Sequence, residues 1–593
     1  MTSFSSSARA LCWSAITASP FFKTMFGTSP LPRQVFLAFT PRRLDVEASA
    51  PQNPPPQKQE FQMAPKAGGT PPGGTHDYAI PFASVGTLLE NYKERDANKI
   101  ALVDVTQEKS ISFGELHDVS NRIANWLVAR GIEKGDRIAL LTEERLEKLI
   151  LWLGIWRAGA VCCPTNVEMN IAYVAEIVGH LGCKLAIYDA DLDIKQMTEG
   201  IDIESVKFTS WSNDIAGDAG SDEAFAQIAA VAASPECDRD YIETDDATIF
   251  CTSGTTDKPK NFLIDHLAHW SFGMSTIDQI GLTEEDRTLE YRSFGWNSPQ
   301  GLSLMPWLAT GCTLHLARRF SHSNFFDWIK KYEITFSAGI PTVINMLLDR
   351  PTGVTSKDVP SLRLMSSSTA PLTPERWKQF EETYGINLLQ FFGCSEGGWV
   401  CGNRHYYKKY GTVGPPAKHQ EFLLVDEDGN AVPQGEEGEV TLGGPQCAKA
   451  SMTAEGVWED LDGKRVRLGD LAVMDDEGFI TVTGRLKDLI IRGGVNISPV
   501  EVDNIMMQHP KVYEAAAVGV PDDIYGEEIV AYVVVRDGET LSADEINAHC
   551  AETLADYRLP KQFHFIDALP KNDRGKVRRP DLQEMWKEGH GSA

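Results

Sequence analysis

A stretch near the middle of the chain combines the residue types that bind a chain of phosphates. It runs from Cys251 to Lys260 and contains hydroxyl side chains, one glycine and two lysines. Hydroxyl and ammonium groups donate hydrogen bonds to phosphate oxygens, and glycine lets the backbone approach them closely. The pattern is not that of a Walker loop, because no Gly-Lys-Ser/Thr follows a glycine at the required spacing. The candidate nucleotide-binding residues of this loop are Thr252, Ser253, Gly254, Thr255, Thr256 and Lys260.

The position of this loop fits a binding role. It follows the apolar, strand-favouring run Ala247 to Phe250 and precedes a helical pattern near His266. We therefore expect it to leave the end of a strand. The alternative is a solvated turn, since loops rich in serine, threonine and lysine are common on protein surfaces. The loop alone leaves both interpretations open.

A second motif, from Phe391 to Gly397, admits two interpretations. Its last five residues fit Gly-x-Ser-x-Gly, the nucleophile elbow of α/β hydrolases, with Ser395 as the nucleophile. Such a hydrolase also needs an oxyanion loop upstream, and an acid and a histidine downstream. Acidic residues and histidines such as His509 follow, but no His-Gly-Gly run precedes. The hydrolase interpretation stays open beside a nucleotide-binding one.

Two polar side chains farther along suit a ribose. Asp470 follows Leu468-Gly469, and a carboxylate accepts hydrogen bonds from both ribose hydroxyls. Arg485 supplies a second polar contact. Beyond them lie a basic segment that contains Lys576 and, before it, the pair Gly493-Gly494. A basic segment by itself is usually just solvated.

In order and spacing these motifs resemble those of the adenylate-forming superfamily, and within it the AMP-dependent acyl-CoA synthetases. The loop after Cys251 is similar to the family's Thr-Ser-Gly-Thr-Thr-Gly-x-Pro-Lys-Gly motif, and Phe392 to Glu396 is similar to Tyr-Gly-x-Thr-Glu. The resemblance covers Tyr78 to Leu582. It implies a ligase that uses ATP, Mg²⁺ and CoA to convert a carboxylic acid first to acyl-AMP and then to acyl-CoA.

The resemblance also implies a role for each matching residue. By position, the catalytic residues are Lys576, Glu396 and Ser395, the ATP-binding residues outside the loop are Ser368, Phe392, Gly393, Asp470 and Arg485, the metal ligands are Glu396 and Thr255, the hinge is Lys487, the CoA-binding residues are Gly493 and Gly494, and the acyl pocket includes Trp296, Asn297, Gly339 and Cys394. A cation such as Lys576 is needed because carboxylate and ATP are both anionic, and charge builds on the α-phosphate in the transition state.

Some residues depart from the family pattern. Asp257 and Asn261 stand where the family usually has glycine, and Ser368-Thr369 stands where it has Gly-Gly. An acidic side chain beside phosphates costs Coulomb energy unless it points away or meets a cation. A degenerate member that binds nucleotide or acyl ligand without turnover is therefore an alternative. The intact residues Glu396, Asp470, Arg485 and Lys576 oppose it.

The acyl part of the substrate is less defined. Acetyl-CoA synthetases carry a tryptophan where this chain has Gly393. We therefore expect an acyl pocket large enough for acids bigger than acetate. Sequence alone places no basic residue in that pocket. This favours a mono-carboxylate with a medium, branched or aryl acyl part.

Composition favours small-molecule chemistry. The 593-residue chain is 42% hydrophobic and 23% charged, and no apolar run reaches membrane-spanning length. Its net charge of -27 repels nucleic acid and anionic membranes. The 11 cysteines form no paired Cys-x-x-Cys pattern, so neither a zinc site nor a disulfide framework is expected. A reducing compartment and a monomer or homodimer fit these properties.

Residues 1–77 differ from the rest of the chain. Up to Leu44 the segment contains basic but no acidic residues, which resembles a mitochondrial transit peptide. The alternative is that translation starts at Met63. From Pro51 to Gly74 the chain is rich in Pro, Gln and Gly, and we expect a disordered linker there. We expect a cytoplasmic protein, or a mitochondrial-matrix protein if the transit peptide is genuine.

Helical and strand-like patterns alternate after this segment. A helix predicted to end at Gly131 precedes a buried strand at 138–141, and the same order then repeats up to Tyr188. Such alternation predicts parallel α/β layering. Residues 204–244 are acidic and rich in Ala, Ser and Gly, so we expect a surface excursion.

Near the carboxyl terminus the patterns change. Ser498 with Glu501, and Ser542 with Glu545, have the spacing of capping boxes that start helices between strand-like runs. We therefore expect an α/β protein with a large N-terminal adenylation domain at 78–484, built of layered α/β sheets plus a strand-rich subdomain. A small, mobile α+β domain at 485–593 follows it.

Overall fold

The computed structural model describes residues 81–169, 171–198, 200–237, 239, 241–252, 260–453, 455–571 and 576–590. The strands, in chain order, are β1 (Ile100–Asp104), β2 (Lys109–Ser112), β3 (Arg137–Leu141), β4 (Val161–Thr165), β5 (Leu185–Asp189), β6 (Glu204–Phe208), β7 (Asp246–Cys251), β8 (Asn261–Asp265), β9 (Arg287–Glu290), β10 (Thr313–Leu316), β11 (Phe336–Ser337), β12 (Leu364–Ser367), β13 (Asn387–Cys394), β14 (Gly398–Gly402), β15 (Leu423–Val425), β16 (Glu437–Leu442), β17 (Ala450–Met452), β18 (Trp458–Asp460), β19 (Val466–Met474), β20 (Ile480–Arg485), β21 (Ile490–Arg492), β22 (Val495–Ile497), β23 (Val512–Asp522), β24 (Gly526–Val535) and β25 (Gln562–Phe565).

The α-helices, in chain order, are α1 (Val85–Asp96), α2 (Phe113–Ala129), α3 (Leu146–Arg157), α4 (Ile171–Leu181), α5 (Ile194–Met197), α6 (Ala224–Ala229), α7 (His266–Ile280), α8 (Asn297–Pro299), α9 (Met305–Thr310), α10 (Phe325–Tyr332), α11 (Pro341–Asp349), α12 (Pro374–Tyr384), α13 (Pro499–Met507), α14 (Ala543–Ala551) and α15 (Arg579–His590). A π-helical turn spans Gln300–Leu304, and 3₁₀ turns span Leu486–Asp488 and Asp556–Arg558. Among the helices of these described ranges, none is both long and apolar enough to cross a bilayer.

The first large sheet has eight strands in the order β14-β13-β12-β11-β9-β10-β1-β2. From β13 to β1 neighbouring strands are parallel, while β14 and β2 are antiparallel edges. An inner strand such as β12 is buried along its whole length. Burial on both faces is typical of a parallel sheet covered by helices.

The second large sheet also has eight strands, in the order β18-β17-β8-β7-β4-β3-β5-β6. Its strands from β7 to β6 are parallel, as the alternation of helix and strand predicts. Residues 204–244 were predicted to be a surface excursion, and this was wrong in part. They contain edge strand β6 and helix α6. Val206 and Phe208 of β6 are buried, but they alternate with the polar residues Ser205, Lys207 and Thr209, so the strand did not stand out in the sequence.

The strand-rich part of the large domain is an antiparallel sheet in the order β15-β16-β19-β20. The 3₁₀ turn Leu486–Asp488 then leads to a small sheet in the order β22-β21-β24-β23, with β25 beside β24. Alternate residues of β23 point to opposite faces. Ala515 and Ala517 pack with α13 and α14 on one face, whereas Val518 packs with Leu582 of α15 on the other. The predicted α/β class, with a small α+β domain, is confirmed.

The two predicted capping boxes differ in outcome. Ser542 accepts a hydrogen bond from the Glu545 backbone N–H at 3.2 Å, as expected of an N-cap. Helix α13 also begins where predicted, but the Ser498 hydroxyl instead donates to the Thr483 carbonyl at 2.5 Å. Glu501 pairs with Arg558. The prediction of a capping box at Ser498 was therefore wrong, because both side chains have partners outside the helix.

Candidate active site

The candidate site lies where parallel strands of the two large sheets end. The carboxyl ends of parallel strands share one edge, which is where α/β proteins bind ligands. Gly339 follows β11, Ser368 follows β12 and Cys394 ends β13, and these three strands are neighbours in the first sheet. Thr252 follows β7 of the second sheet. Trp296 packs on a cluster that includes Cys251, so the ends of both sheets meet here.

The neck of the phosphate loop is closed by hydrogen bonds between its two ends. The Thr252 N–H donates to the Lys260 carbonyl at 2.8 Å, and the Lys260 N–H donates to the Thr252 hydroxyl at 3.1 Å. Below them Cys251 pairs with Asn261 in an antiparallel hairpin. Strand β8 therefore lies between the loop and helix α7, which the sequence pattern did not show. The predicted residues Ser253, Gly254, Thr255 and Thr256, and the departure at Asp257, lie outside the described residues.

Asn261 departs from the family glycine at the first position of β8. Its side chain is buried, and its amide nitrogen lies 3.6 Å from the Met452 sulfur. Met452 belongs to β17, which pairs with β8. The amide thus faces the neighbouring strand of the sheet.

Ser395 to Gly397 form a turn, called here the Glu396 turn, which strand β17 connects to this neck. The Ala448 N–H donates to the Glu396 carbonyl at 2.8 Å. The chain then continues into β17, whose Met452 pairs with Asn261 at the neck. The Glu396 side chain is partly exposed. A partly exposed carboxylate is the kind of ligand that Mg²⁺ prefers, so Glu396 fits the metal.

The same turn excludes a nucleophile elbow at Ser395. An elbow joins a strand to a helix, whereas Ser395 to Gly397 join antiparallel strands β13 and β14. The hydrolase interpretation is wrong on this ground. Burial, with the negative charge of Glu396 second, also holds the pKa of the Cys394 thiol well above its usual value. The neighbouring cysteine therefore stays a neutral thiol and is a poor nucleophile.

The β13–β14 hairpin rests on helix α7, which follows the phosphate loop. The Trp399 ring packs edge-on against Phe272 at 5.3 Å, and its indole N–H donates to the Thr276 hydroxyl at 2.8 Å. A Cβ at Gly393 would lie 2.8 Å from both the Gly398 carbonyl oxygen and the Trp399 ring. Phe392 is half-buried against the strand-rich subdomain. Glycine at 393 is therefore required by Trp399, and a tryptophan there has no room.

Asp470 and Arg485 face each other on neighbouring strands. They are register partners on β19 and β20, and the Arg485 Nε donates to an Asp470 carboxylate oxygen at 2.6 Å. Asp470 is buried and Arg485 half-buried. Because the pair fixes the carboxylate, the position of its second oxygen is also fixed.

Sequence reasoning missed a buried ion pair at the end of β9. Arg292 donates two hydrogen bonds to Glu290, from Nε at 2.9 Å and from Nη2 at 2.7 Å. Its remaining nitrogen, Nη1, donates to the Ser368 hydroxyl at 3.3 Å. The signal was present, because a glutamate ends a buried strand and an arginine follows two positions later. Among the predicted pocket residues, Asn297 is buried, and the Gly339 N–H donates to Ser366.

Thr369 adopts a backbone conformation that threonine rarely takes. Its φ is 81°, in the left-handed region where a β-branched residue is strained. Thr369→Gly is expected to raise the free energy of unfolding by about 1 kcal/mol, because the strain of ~1–2 kcal/mol exceeds the conformational entropy that glycine loses on folding. Urea unfolding measures the change. Thr369→Ala keeps the Cβ and serves as the matched control, and an equal gain in that variant would contradict the assignment.

The predicted small-domain residues occupy turns. Lys487 is exposed in the 3₁₀ turn between the domains. Gly493 and Gly494, with φ of 58° and 82°, form the two-residue turn between β21 and β22, a turn type that favours glycine. Lys576 is half-buried next to Val577, which bridges to Lys571. Lys576 thus lies in the small domain, apart in sequence from Glu396 and Asp470 of the large domain.

Comparison with known proteins agrees with this arrangement. The family model described as AMP-binding enzyme matches residues 89–450. The chain belongs to the AMP-binding enzymes. A second model, for the C-terminal domain of AMP-binding enzymes, matches residues 501–576. The predicted membership of the adenylate-forming acyl-CoA synthetases is confirmed by these matches and by the relatives below.

The matches between this AMP-binding enzyme and its relatives cover nearly the full length of each relative. Oxalate–CoA ligase from Arabidopsis thaliana is 30% identical over 84% of this chain and 98% of its own. The crystal structure of ATP-bound MatB from Rhodopseudomonas palustris is 26% identical, with a TM-score of 0.75 over 85% of this chain and 99% of that chain. The structure of o-succinylbenzoate coenzyme A synthetase (MenE) from Bacillus subtilis, in complex with ATP and magnesium ion, is 26% identical, with a TM-score of 0.70 over 84% and 98%. ATP, Mg²⁺ and CoA are the expected substrates and metal of this AMP-binding enzyme.

Proposed function

We propose that this AMP-binding enzyme ligates a carboxylic acid to CoA through an acyl-AMP intermediate. The observation that supports it best is the hydrogen bond from Ala448 to Glu396, which joins the Glu396 turn to the neck of the phosphate loop through β17. A nucleotide triphosphate laid along the loop would then present its α-phosphate to Ser395 and Glu396. Asp470, fixed by Arg485, would accept from the ribose hydroxyls.

In the first half-reaction a carboxylate oxygen attacks the α-phosphorus, and the bond from that phosphorus to pyrophosphate breaks. Mg²⁺, when bound, neutralises phosphate charge, and Glu396 and Thr255 would hold it. Lys576 donates to the α-phosphate, where negative charge builds in the transition state. The thiol sulfur of CoA then attacks the acyl carbon, its proton is lost, and AMP leaves with the bridging oxygen.

One site serves both half-reactions if the small domain turns about Lys487. The domain limits that we propose, 78–484 and 485–593, place the division at the end of β20. In the first orientation Lys576 faces the nucleotide, and in the second the Gly493-Gly494 turn faces it and admits CoA. A turn without side chains lets a pantetheine arm pass close to the backbone. Domain motion of this kind can limit turnover.

We further propose a substrate larger than acetate, with a medium, branched or aryl acyl part. The pocket would be formed by Trp296, Asn297, Gly339 and Cys394, at the ends of adjacent strands. Two of the relatives, oxalate–CoA ligase and o-succinylbenzoate coenzyme A synthetase, are named for organic acids of differing size, which supports the reaction class without indicating one particular acid. The polar residues beside Ser368 restrict the substrate further, as argued below.

Pyrophosphate release against a panel of carboxylic acids tests the proposal. Protein starting at Met63 is incubated with ATP and Mg²⁺, with and without CoA. We expect release that depends on one class of acid and that rises with CoA. If folded protein releases no pyrophosphate with any acid of the panel, the result would instead favour a degenerate nucleotide binder. Asp257→Gly would then be the variant to examine.

We propose the cytoplasm as the location, on the strength of the net charge of -27. The amino-terminal residue of the protein isolated from its natural source decides between the alternatives. Cleavage within residues 1–77 would support the mitochondrial matrix, and Met63 would support an internal translation start.

A further inference from the structure

The ion pair of Glu290 and Arg292 is asymmetric. The Glu290 side chain is 0% exposed, whereas that of Arg292 is 11% exposed. Glu290 also accepts from the Ser303 hydroxyl at 2.8 Å and from the Tyr291 backbone N–H at 3.0 Å. The Glu290 carboxylate is therefore hydrogen-bonded within the buried interior. Of the two side chains, that of Arg292 is the one that is partly exposed.

One nitrogen of Arg292 is not used by Glu290. This nitrogen, Nη1, donates to the hydroxyls of Ser298 at 3.0 Å and Ser368 at 3.3 Å. Ser368 belongs to the nucleotide-binding stretch after β12, and Ser298 follows the predicted pocket residue Asn297. The guanidinium therefore bridges the predicted acyl pocket and the predicted nucleotide site.

Buried polar atoms without partners lie in the same segments. Among the described residues, the side-chain oxygens of Asn297, Gln300 and Ser367 have no hydrogen-bond partner, and these residues are 8%, 0% and 0% exposed. A buried polar atom left unpaired costs ~1–3 kcal/mol, so such atoms usually meet a ligand or water. Three of them in the segments flanking Arg292 indicate a polar lining.

We infer that Arg292 recognises an oxygen acceptor on the acyl part of the substrate, such as a hydroxyl or a second carboxylate. The inference rests on the proposed ligase function and narrows its substrate to acids that are not plain hydrocarbons. The long contact to Ser368 is the one that a substrate oxygen would replace. The expectation of a pocket without a basic residue is revised accordingly, because Arg292 lies two positions beyond strand β9 and sequence spacing did not show which way it turns.

An ion pair with only a structural role would not need a third arginine nitrogen directed at the Ser298 and Ser368 hydroxyls. Glu290 already has donors from the backbone and from Ser303, and two Arg292 nitrogens suffice to neutralise it. The third nitrogen donates to the hydroxyls of Ser298 and Ser368, which can also accept from or donate to a ligand. A site built to bond a substrate oxygen strongly disfavours the analogue that lacks it.

Matched pairs of acids test the inference through their ratio of kcat/KM. Adipate is compared with hexanoate, and p-hydroxybenzoate with benzoate, in acid-dependent pyrophosphate release. We expect the oxygen-bearing member of at least one pair to be preferred by roughly 10- to 100-fold, the range of one hydrogen bond to a charged group. The dicarboxylate pair and the hydroxyl pair distinguish the two kinds of acceptor.

Variants assign that preference to Arg292. Arg292→Met is expected to bring the ratio close to one, and Arg292→Lys to keep part of it. Because Arg292→Met leaves the buried Glu290 carboxylate without its cation, the double variant Glu290→Gln with Arg292→Met removes both charges as well as the side-chain donors at position 292, and it is expected to lose the ratio equally. Arg287→Met is the control, since Arg287 begins the same strand at its other end and contacts Glu333.

The outcomes separate the inference from the proposed function. Release with hydrocarbon and oxygen-bearing acids at equal kcat/KM would overturn the inference and leave the ligase function intact. A preference that survives in the double variant would also overturn it. Absence of any acid-dependent release would contradict the ligase function itself.

Discussion

Replacing Lys576 by alanine is expected to abolish acyl-AMP formation while thioester formation from supplied acyl-AMP continues. The ammonium group is proposed to act only on the α-phosphate of ATP, where charge develops during adenylation. Loss of one donor to such a charge lowers a rate by roughly 100- to 1000-fold, and a full positive charge belongs at the upper end of that range. The two half-reactions are measured separately, by pyrophosphate exchange and by acyl-CoA formation.

The matched control is Lys571→Ala. Lys571 belongs to the same basic segment, and its ammonium group pairs with Glu514 within the small domain. Both half-reactions should remain near normal in that variant. An equal loss of both half-reactions in Lys576→Ala would contradict the role assigned to Lys576.

The second large effect is expected from Asp470→Asn, which should weaken ATP binding by roughly 100-fold or more. An anionic carboxylate accepts hydrogen bonds worth ~1.5–3 kcal/mol each, and the ribose offers two hydroxyls. The amide also loses the attraction of Arg485, so its orientation is no longer fixed. Calorimetric titration with ATP measures the dissociation constant directly.

Asp460→Asn provides the comparison, because the Asp460 side chain is largely exposed in the same part of the chain. Its affinity for ATP should equal that of the unmodified protein. If Asp470→Asn binds ATP normally, then the ribose contact lies elsewhere. A fall in thermal stability in Asp470→Asn, without a change in affinity, would assign the pair with Arg485 to folding.

The parts of the fold that sequence predicted are those with strong local patterns. Helix α2 and strand β3 show clear apolar periodicity, and Gly131 ends the helix region with a φ of 78°. The motifs around Glu396 and Asp470 are likewise local runs of residue types that nucleotide chemistry requires. Their resemblance to the family's motifs, in the same order along the chain, is what predicts that they serve one site.

What sequence did not show are the partners supplied by distant segments. Ala448 fixes Glu396 from more than fifty positions away, and Ser498 bonds Thr483 instead of capping its own helix. The same holds for Arg292, whose neighbour Ser368 comes from another strand end. Tertiary contacts of this kind have no signature in local spacing, because many side chains compete for each partner.

The central claim is that the acid is activated as an adenylate, and transfer of a heavy oxygen tests it most directly. An acid that supports pyrophosphate release is labelled with ¹⁸O in its carboxylate and converted in the presence of ATP, Mg²⁺ and CoA. The account predicts one labelled oxygen in the phosphate of the AMP produced, because that oxygen bridges acyl group and phosphorus before the thiol displaces it. Label in inorganic phosphate, or AMP without label, would contradict an acyl-AMP intermediate.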